Sequence, residues 1–302
     1  MSLPDMRKYF DPLTLARLKG LRLRAQRIVE GFWAGLHRSP RRGFSIEFAE
    51  HRQYTPGDDL RYVDWKVFGR SDKLYLKQFE DETNLIVYLL VDCSRGMAYR
   101  GPTSVWSKWE YAQCLAASLA WLVLHQHDAV GMATFDTRLG HLLAPSGGPV
   151  QLQNIVQVLE QAHPQGETSV RASLWDFVER CRRRGVVVVM SDLLDEVDAV
   201  LQAVRLLRAH RHDVVVFHVL DPAEVAFSFD EPIRFCGLEI PRRLAVDARA
   251  LRSAYLQEFR TYQERLESGL RQAGVDYWMA DSSRPLHEVL VPFLNRRLHR
   301  VY

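Results

Sequence analysis

The sequence has few cysteines, no long apolar run and little net charge. Its four cysteines, Cys93, Cys114, Cys181 and Cys236, lie far apart, without a Cys-x-x-Cys pair or a histidine spacing suited to zinc. They are typical of reduced thiols in a cytosolic protein. The longest largely apolar run, 114–124, is shorter than the roughly 20 residues that cross a bilayer. The amino terminus lacks the apolar segment of a signal peptide, so we expect a cytoplasmic protein without a membrane span.

Charge gives no general argument for binding to nucleic acid. The formal net charge is +3 over 302 residues, and no nucleic-acid-binding motif is recognised. The first 50 residues are nevertheless basic, with ten Lys and Arg against five Asp and Glu. Within them, apolar residues recur among arginines from 12 to 30 at the spacing of an amphipathic helix. We interpret its basic face as solvated and expect no nucleic-acid partner.

Apolar runs that alternate with helical periodicity dominate the rest of the chain. The run 85–91 has no polar alternation, which is typical of a central strand buried on both faces. The predicted strands are 85–91, 128–135, 140–143, 185–190, 213–220 and 275–280, and the predicted helices are 106–126, 150–159, 171–183, 197–209, 248–273 and 284–298. This order predicts an α/β fold with a doubly wound, mainly parallel sheet.

Two less regular segments complete the predicted architecture. Residues 221–240 contain Pro222, Pro232 and Gly237, and we expect a hairpin or meander there. Residues 74–80 partly alternate between apolar and polar, as an edge strand does. We therefore predict an accessory segment of helix and strands over 1–80 and an α/β domain over 81–302.

Polar residues stand where the predicted parallel strands end. Asp92 and Ser94 follow the first central strand, and Asp192 follows the strand 185–190. Thr168 lies in a polar loop that would reach the same edge of the sheet. Two carboxylates and two hydroxyls suit Mg²⁺ or Mn²⁺, with water or a partner's carboxylate completing the shell. In the alternative, Asp92 and Ser94 cap their turn and hydrogen-bond to Thr168 and Asp192 without metal.

The spacing of these residues resembles the metal-ion-dependent adhesion site of von Willebrand factor A domains. That site has the pattern Asp-x-Ser-x-Ser, a distant threonine and a later aspartate. Asp92, Ser94, Thr168 and Asp192 match four of the five positions, while Gly96 stands where the second serine would be. The resemblance therefore implies a degenerate metal site that has lost one direct hydroxyl ligand.

Three further stretches resemble the bacterial "domain of unknown function fifty-eight" family. They are Phe44 to Glu50, Arg52 to Trp65, and Lys108-x-Glu110-Tyr111-Ala112. The resemblance implies an amino-terminal segment joined to a von Willebrand factor A-like domain. Members of that family are commonly encoded beside MoxR-type AAA+ ATPases, which implies an adaptor or co-chaperone partnership with such an ATPase.

Two classes of function follow from these patterns. The first is a non-enzymatic protein-interaction module, whose candidate partner-binding residues are Arg95, Asp58, Asp59 and Trp65. The alternative is a metal-dependent phosphohydrolase that uses Asp92 and Asp192. Against the alternative, Ser94 stands where haloacid-dehalogenase-like chemistry needs a second carboxylate, and the sequence lacks Gly-x-Ser-x-Gly, a phosphate-binding glycine loop and His-Glu-x-x-His. Five histidines have no evident nucleophile beside them, namely His125, His127, His210, His212 and His218.

Overall fold

The computed structural model describes residues 85–239 and 242–298, two short strands at 51–53 and 75–77, and five helical positions. These positions are Leu21, Arg24, Ala25, Ile28 and Val29. The chain divides into two compact units, one formed by His37–Asn84 and the other by Met1–Leu36 together with Leu85–Tyr302. The predicted boundary between residues 80 and 81 lies outside the described residues.

The described residues of the smaller unit form a pair of antiparallel strands, β1 (His51–Gln53) and β2 (Tyr75–Lys77). His51 lies opposite Lys77, and Gln53 lies opposite Tyr75. Strand β2 falls inside the segment 74–80, whose alternating pattern predicts a strand. The prediction is confirmed for residues 75–77.

The larger unit is built on a six-stranded sheet. Its strands are β3 (Ile86–Asp92), β4 (Ala129–Phe135), β5 (Leu139–Ser146), β6 (Val186–Ser191), β7 (Asp213–Leu220) and β10 (Asp276–Asp281). They lie in the order β10-β7-β6-β3-β4-β5, and every neighbouring pair is parallel except β4 with β5. The predicted α/β fold with a doubly wound, mainly parallel sheet is confirmed.

Helices connect these strands and cover both faces of the sheet. They are α1 (Lys108–His125), α2 (Pro149–Gln161), α3 (Val170–Arg180), α4 (Val197–Ala209), α5 (Pro222–Ala226), α6 (Ala248–Gln272) and α7 (His287–Leu298). A 3₁₀ helix, Arg95–Ala98, follows β3. None of the helices in the described ranges is long and apolar enough to cross a membrane.

Strand β3 lies at the centre of the sheet and is buried along its whole length. Val87, Leu89 and Val91 belong to the core on one face, which includes residues of α1 and α7. Tyr88 and Leu90 belong to the core on the other face, which includes residues of α3, α4 and α6. Each fully buried apolar side chain contributes about 1.5–3 kcal/mol. An unbroken apolar run is therefore the pattern that this position requires.

The segment 221–240 differs in part from its prediction. A hairpin is present, but only its first strand, β8 (Pro232–Cys236), lies in this segment, whereas its second strand, β9 (Arg243–Asp247), lies beyond residue 240. The short helix α5 precedes it and was not predicted. Asp221 and Glu224 form a capping box at its start, and Pro222 occupies its first turn. Five residues are too few to produce helical periodicity in the sequence.

Candidate functional site

The site begins at Asp92, the last residue of β3, whose side chain is fully buried. Its Oδ1 accepts a hydrogen bond from the backbone N–H of Ser94 at 2.8 Å. Its Oδ2 accepts one from Ser191 Oγ at 2.5 Å. Because β3 and β6 are parallel neighbours, Asp92 stands beside the end of β6 and the carboxylate of Asp192 that follows it. Burial and the negative charge of Asp192 raise the pKa of Asp92 to about 7.

The side chain of Ser94 is also fully buried. Its hydroxyl lies near the Asp92 carboxylate and lowers the pKa of that group slightly, but it has no hydrogen bond of ordinary geometry to any described residue. A buried hydroxyl without a partner loses about 1–3 kcal/mol relative to its hydrated state. Such a group calls for an explanation, and a bound ligand is one.

Asp192 directly follows β6 and is fully buried. Its Oδ2 lies 2.8 Å from Lys108 Nζ, and its Oδ1 accepts a hydrogen bond from the backbone N–H of Leu194 at 3.2 Å. Its backbone carbonyl accepts a hydrogen bond from His218 Nε2 at 2.8 Å. Because a carbonyl only accepts, this bond places the proton of His218 on Nε2, and Nδ1 accepts from the hydroxyl of Tyr277.

Lys108 is a buried cation at the start of α1. Its ammonium bonds to Asp192 Oδ2 and, at 2.7 Å, to Glu224 Oε1. Burial alone would lower the pKa of Lys108, but the negative charges of Asp192 and Glu224 outweigh burial and raise that pKa above its ordinary value. The ammonium therefore stays charged and compensates part of the negative charge at this edge of the sheet.

Thr168 lies in the loop before α3 and is partly buried. Its hydroxyl donates to Glu239 Oε1 at 2.9 Å, and its backbone N–H donates to Glu239 Oε2 at 3.2 Å. The backbone N–H of Gly96 donates to Oε1 of the same carboxylate at 3.2 Å. Glu239 belongs to the connection between β8 and β9, so the hairpin places a carboxylate on the two loops that carry the predicted site.

Gly96 occupies the position where the related pattern has its second serine. A Cβ atom on Gly96 would lie 2.8 Å from Asp192 Oδ2 and 3.0 Å from Glu239 Oε1. The space that a serine side chain would need is therefore occupied by two carboxylates. No open space therefore remains at the position of the absent serine. Glycine is the residue there because its backbone lies close to charged side chains.

The structure thus brings Asp92, Ser94, Thr168 and Asp192 to one edge of the sheet, around Gly96. Among the other predicted partner-binding residues, Arg95 is exposed beside the site. The remaining three, Asp58, Asp59 and Trp65, lie outside the described residues.

Sequence reasoning missed three residues of the site, Lys108, His218 and Glu239. A lysine at a helix start and a glutamate in a hairpin connection are ordinary surface residues in sequence, and only the fold places them here. His218 gave one signal, because a histidine inside the apolar run 213–220 is unusual. Burial lowers its pKa to about 4, so it is neutral near pH 7 and acts as a structural donor.

The oxygen donors fit a hard divalent cation. Ser94 Oγ is buried without a hydrogen bond of ordinary geometry, and burial, together with the negative charge of Asp192, raises the pKa of Asp92. Hydroxyl and carboxylate oxygens are the ligands that Mg²⁺ and Mn²⁺ prefer. Within the described ranges, no three His, Cys, Asp or Glu residues form a metal cage. A cation would therefore depend on hydroxyls and water besides the two aspartates.

Comparison with known proteins finds a family and curated relatives whose sequences match most of this chain. Residues 50–265 match the family described as "Protein of unknown function DUF58". The curated "Uncharacterized protein Rv1480" of Mycobacterium tuberculosis is 30% identical over 227 residues, which cover 71% of this chain and 68% of that protein. "Uncharacterized protein Mb1516" of Mycobacterium bovis matches with the same identity and coverage.

Two solved structures are similar in fold. The conserved hypothetical protein BatB from Bacteroides thetaiotaomicron has 17% identity and a TM-score of 0.43, over 65% of this chain and 90% of that chain. The SpRpn10 VWA domain has 8% identity and a TM-score of 0.41, over 70% of this chain and 94% of that chain. Because both likenesses are distant, the fold assignment rests on the strand order and pairing described above.

Proposed function

Because the chain belongs to the DUF58 family of unknown function and brings the buried polar residues Asp92, Ser94 and Asp192 to one sheet edge, we propose that it is a protein-interaction module. In this proposal, the edge around Gly96 docks an acidic side chain of a partner protein. The observation that carries the proposal is the buried hydroxyl of Ser94, which interacts with the Asp92 carboxylate but forms no hydrogen bond of ordinary geometry with any described residue. A buried polar group without a well-formed hydrogen bond can be satisfied by a bound ligand, and ligands of open α/β sheets bind at the carboxyl ends of the strands, where Ser94 lies.

The four residues Asp92, Ser94, Thr168 and Asp192 would hold Mg²⁺ or Mn²⁺. When bound, the cation supplies positive charge to which a carboxylate of the partner binds. The chain's own contribution is to hold the donors in place. Ser191 and the backbone N–H of Ser94 orient the Asp92 carboxylate, while Lys108 holds Asp192. In the metal-free form of the same proposal, the partner docks on this edge directly.

The surroundings of the site suit a protein partner. Leu194, two residues after Asp192, is 48% exposed, and Leu238, next to Glu239, is 46% exposed. Arg95 is exposed on the 3₁₀ helix that contains Gly96. Apolar and arginine side chains around a polar centre are common in protein interfaces. The cavity of about 450 Å³ lined by Cys93, Asp136, His141 and His163 is a separate feature that includes none of the four proposed ligands.

The phosphohydrolase alternative has no specific observation in its favour. The sequence lacks the nucleophile and phosphate-loop motifs sought for such an enzyme, and the histidine at this edge, His218, has both ring nitrogens in hydrogen bonds to Tyr277 and Asp192. We therefore propose a non-enzymatic role.

The finer parts of the proposal come from the family resemblance. We propose a MoxR-type AAA+ ATPase as the partner and a chaperone-like or complex-maturation role, in the cytoplasm and without nucleic acid. Three cysteines, Cys93, Cys114 and Cys181, are buried free thiols, which supports a reducing compartment.

The experiment is a thermal-unfolding titration with Mn²⁺ against a chelator, on the wild type, Asp92→Asn and the control Asp198→Asn. Asp198 is a carboxylate 79% exposed on α4. A ligand that binds only the folded state stabilises it by about 2.7 kcal/mol at a hundredfold excess over Kd. We expect the wild type and Asp198→Asn to shift upward together and Asp92→Asn not to shift.

The same three proteins are then tested for binding to a purified MoxR-type ATPase in the presence of Mn²⁺. We expect Asp92→Asn to abolish binding while the control binds like the wild type. If Asp92→Asn responds to Mn²⁺ and binds the ATPase like the wild type, this edge of the sheet is not the docking site.

A further inference from the structure

The connection between β8 and β9 places Glu239 against the proposed docking site. The Glu239 carboxylate accepts three hydrogen bonds, from the backbone N–H of Gly96, the backbone N–H of Thr168 and the hydroxyl of Thr168. These donors come from two loops that are separate in sequence and meet at the sheet edge. Together they form a niche that already recognises a carboxylate.

We propose that Glu239 is an internal ligand of this site, which occupies the position of the partner's acidic side chain until the partner displaces it. The inference rests on the proposed function, because it takes this edge as the docking site. To that function it adds an internal occupant of the docking site, Glu239, and a form of regulation. A carboxylate in the same chain competes with the partner's carboxylate for the site. Tethered groups act at effective concentrations in the millimolar range.

The electrostatic surroundings favour release of Glu239. Its carboxylate and that of Asp192 both lie against Gly96, as the two shortest approaches to a Cβ at that position show. Among the described residues, the Lys108 ammonium pairs with the carboxylates of Asp192 and Glu224 rather than with that of Glu239. Two carboxylates that flank one glycine repel each other, so the three hydrogen bonds hold Glu239 against an opposing charge.

The hairpin is attached to the domain by an aromatic cluster that does not involve Glu239. Phe235 of β8 packs on Phe227 and Phe229, with ring centroids 5.7 and 5.6 Å apart, and Phe227 packs on Tyr255 of α6 at 4.5 Å. Leu238, in the connection that carries Glu239, is exposed. Glu239 can therefore leave the niche while the hairpin stays attached to the domain.

The test uses acetate as a carboxylate probe, with chloride at equal ionic strength as its reference. The proteins are the wild type, Glu239→Ala and the control Glu231→Ala, which removes an exposed carboxylate at the start of the same hairpin. We expect acetate to raise the unfolding temperature of Glu239→Ala at a concentration at least tenfold lower than for the other two. Equal responses of all three proteins would overturn the proposal.

Amide hydrogen exchange in peptides that cover Gly96 and Thr168 is the second measurement, and Glu239→Gln is the second variant. The glutamine keeps the size of the side chain but loses its charge, so it guards against misfolding of the alanine variant. We expect exchange at these amides to be at least tenfold faster in Glu239→Ala, and intermediate in Glu239→Gln, than in the control. Unchanged exchange in both variants would also overturn the proposal.

Running the acetate titration with Mn²⁺ and with chelator separates this inference from the proposed metal site. If acetate raises the unfolding temperature of Glu239→Ala at the lower concentration in both conditions, Glu239 is supported as the internal ligand, and the niche binds a carboxylate without metal. If acetate has this effect on Glu239→Ala in Mn²⁺ but not in chelator, both proposals are supported. If the wild type responds to Mn²⁺ but acetate does not distinguish Glu239→Ala, the Glu239 inference fails while the metal site stands.

Discussion

Replacing Lys108 by methionine tests the electrostatic organisation of the sheet edge. The Lys108 side chain is fully buried, and its ammonium lies 2.8 Å from Asp192 Oδ2 and 2.7 Å from Glu224 Oε1. The Asp192 side chain is 1% exposed and that of Glu224 is 17% exposed, so water can replace little of the lost interaction. Methionine keeps the length of the side chain and removes its charge.

The expected loss is large because the substitution leaves two carboxylates without their cation. Removing one partner of a buried ion pair costs about 3–5 kcal/mol. A matched control is Arg208→Met, since Arg208 pairs with Asp213 at 3.6 Å and both side chains are about 40% exposed. An exposed pair contributes about 1 kcal/mol or less.

Urea-induced unfolding in the presence of chelator measures both variants. We expect Lys108→Met to lose about 3–5 kcal/mol and Arg208→Met to lose less than about 1 kcal/mol. Adding Asp192→Asn and Glu224→Gln to Lys108→Met should recover part of the loss, because neutral amides need no counter-charge. A loss for Lys108→Met no larger than for Arg208→Met would refute the assignment of this ammonium as the buried counter-charge of the site.

Three further predictions follow from the same region. In chelator, the free energy of unfolding of Asp92→Asn should rise by about 3 kcal/mol relative to that of the wild type between pH 4 and 6.5, measured by urea unfolding at several pH values. Burial and the charge of Asp192 raise the pKa of Asp92 in the folded state to about 7, so the folded wild type holds a proton in this range that the unfolded chain has lost, and the asparagine variant does not; parallel pH curves would contradict this. Gly96→Ser should lower stability by about 1–3 kcal/mol in chelator, since its Cβ would meet Asp192 Oδ2 at 2.8 Å; an unchanged unfolding temperature would contradict this. A thiol reagent should modify Cys236 alone in the folded protein, because the other three cysteines are buried; mass spectrometry of the labelled peptides checks this.

The architecture was largely predictable because each main element has a local signal. The apolar runs that became β3, β6 and β7 need no knowledge of their neighbours, since a strand under helices on both faces must be apolar throughout. Asp247 marks the start of α6, where its carboxylate accepts from the backbone N–H groups of Arg249 and Ala250. Helix α5 was missed because five residues carry no periodicity.

Only those residues of the candidate site that lie at the ends of predicted strands could be identified from the sequence. Asp92 and Asp192 follow apolar strands, and parallel strands bring their carboxyl ends to one edge, so their proximity follows from the fold class. Whether the four residues bind metal remains a prediction, and so does the role of Arg95. Nothing in the sequence near Gly96 indicated that carboxylates occupy the space of the absent serine.

Local sequence patterns specify the alternation of strands and helices and the position of Asp92 at the end of the central strand. Which charges meet at that position depends on the packing of distant segments. Lys108 and Asp192 are 84 residues apart, and Thr168 and Glu239 are 71 residues apart. The physical reason is that helix and strand signals arise from neighbouring residues, whereas the pairing of a buried charge depends on which distant chain segments the packed sheet brings together.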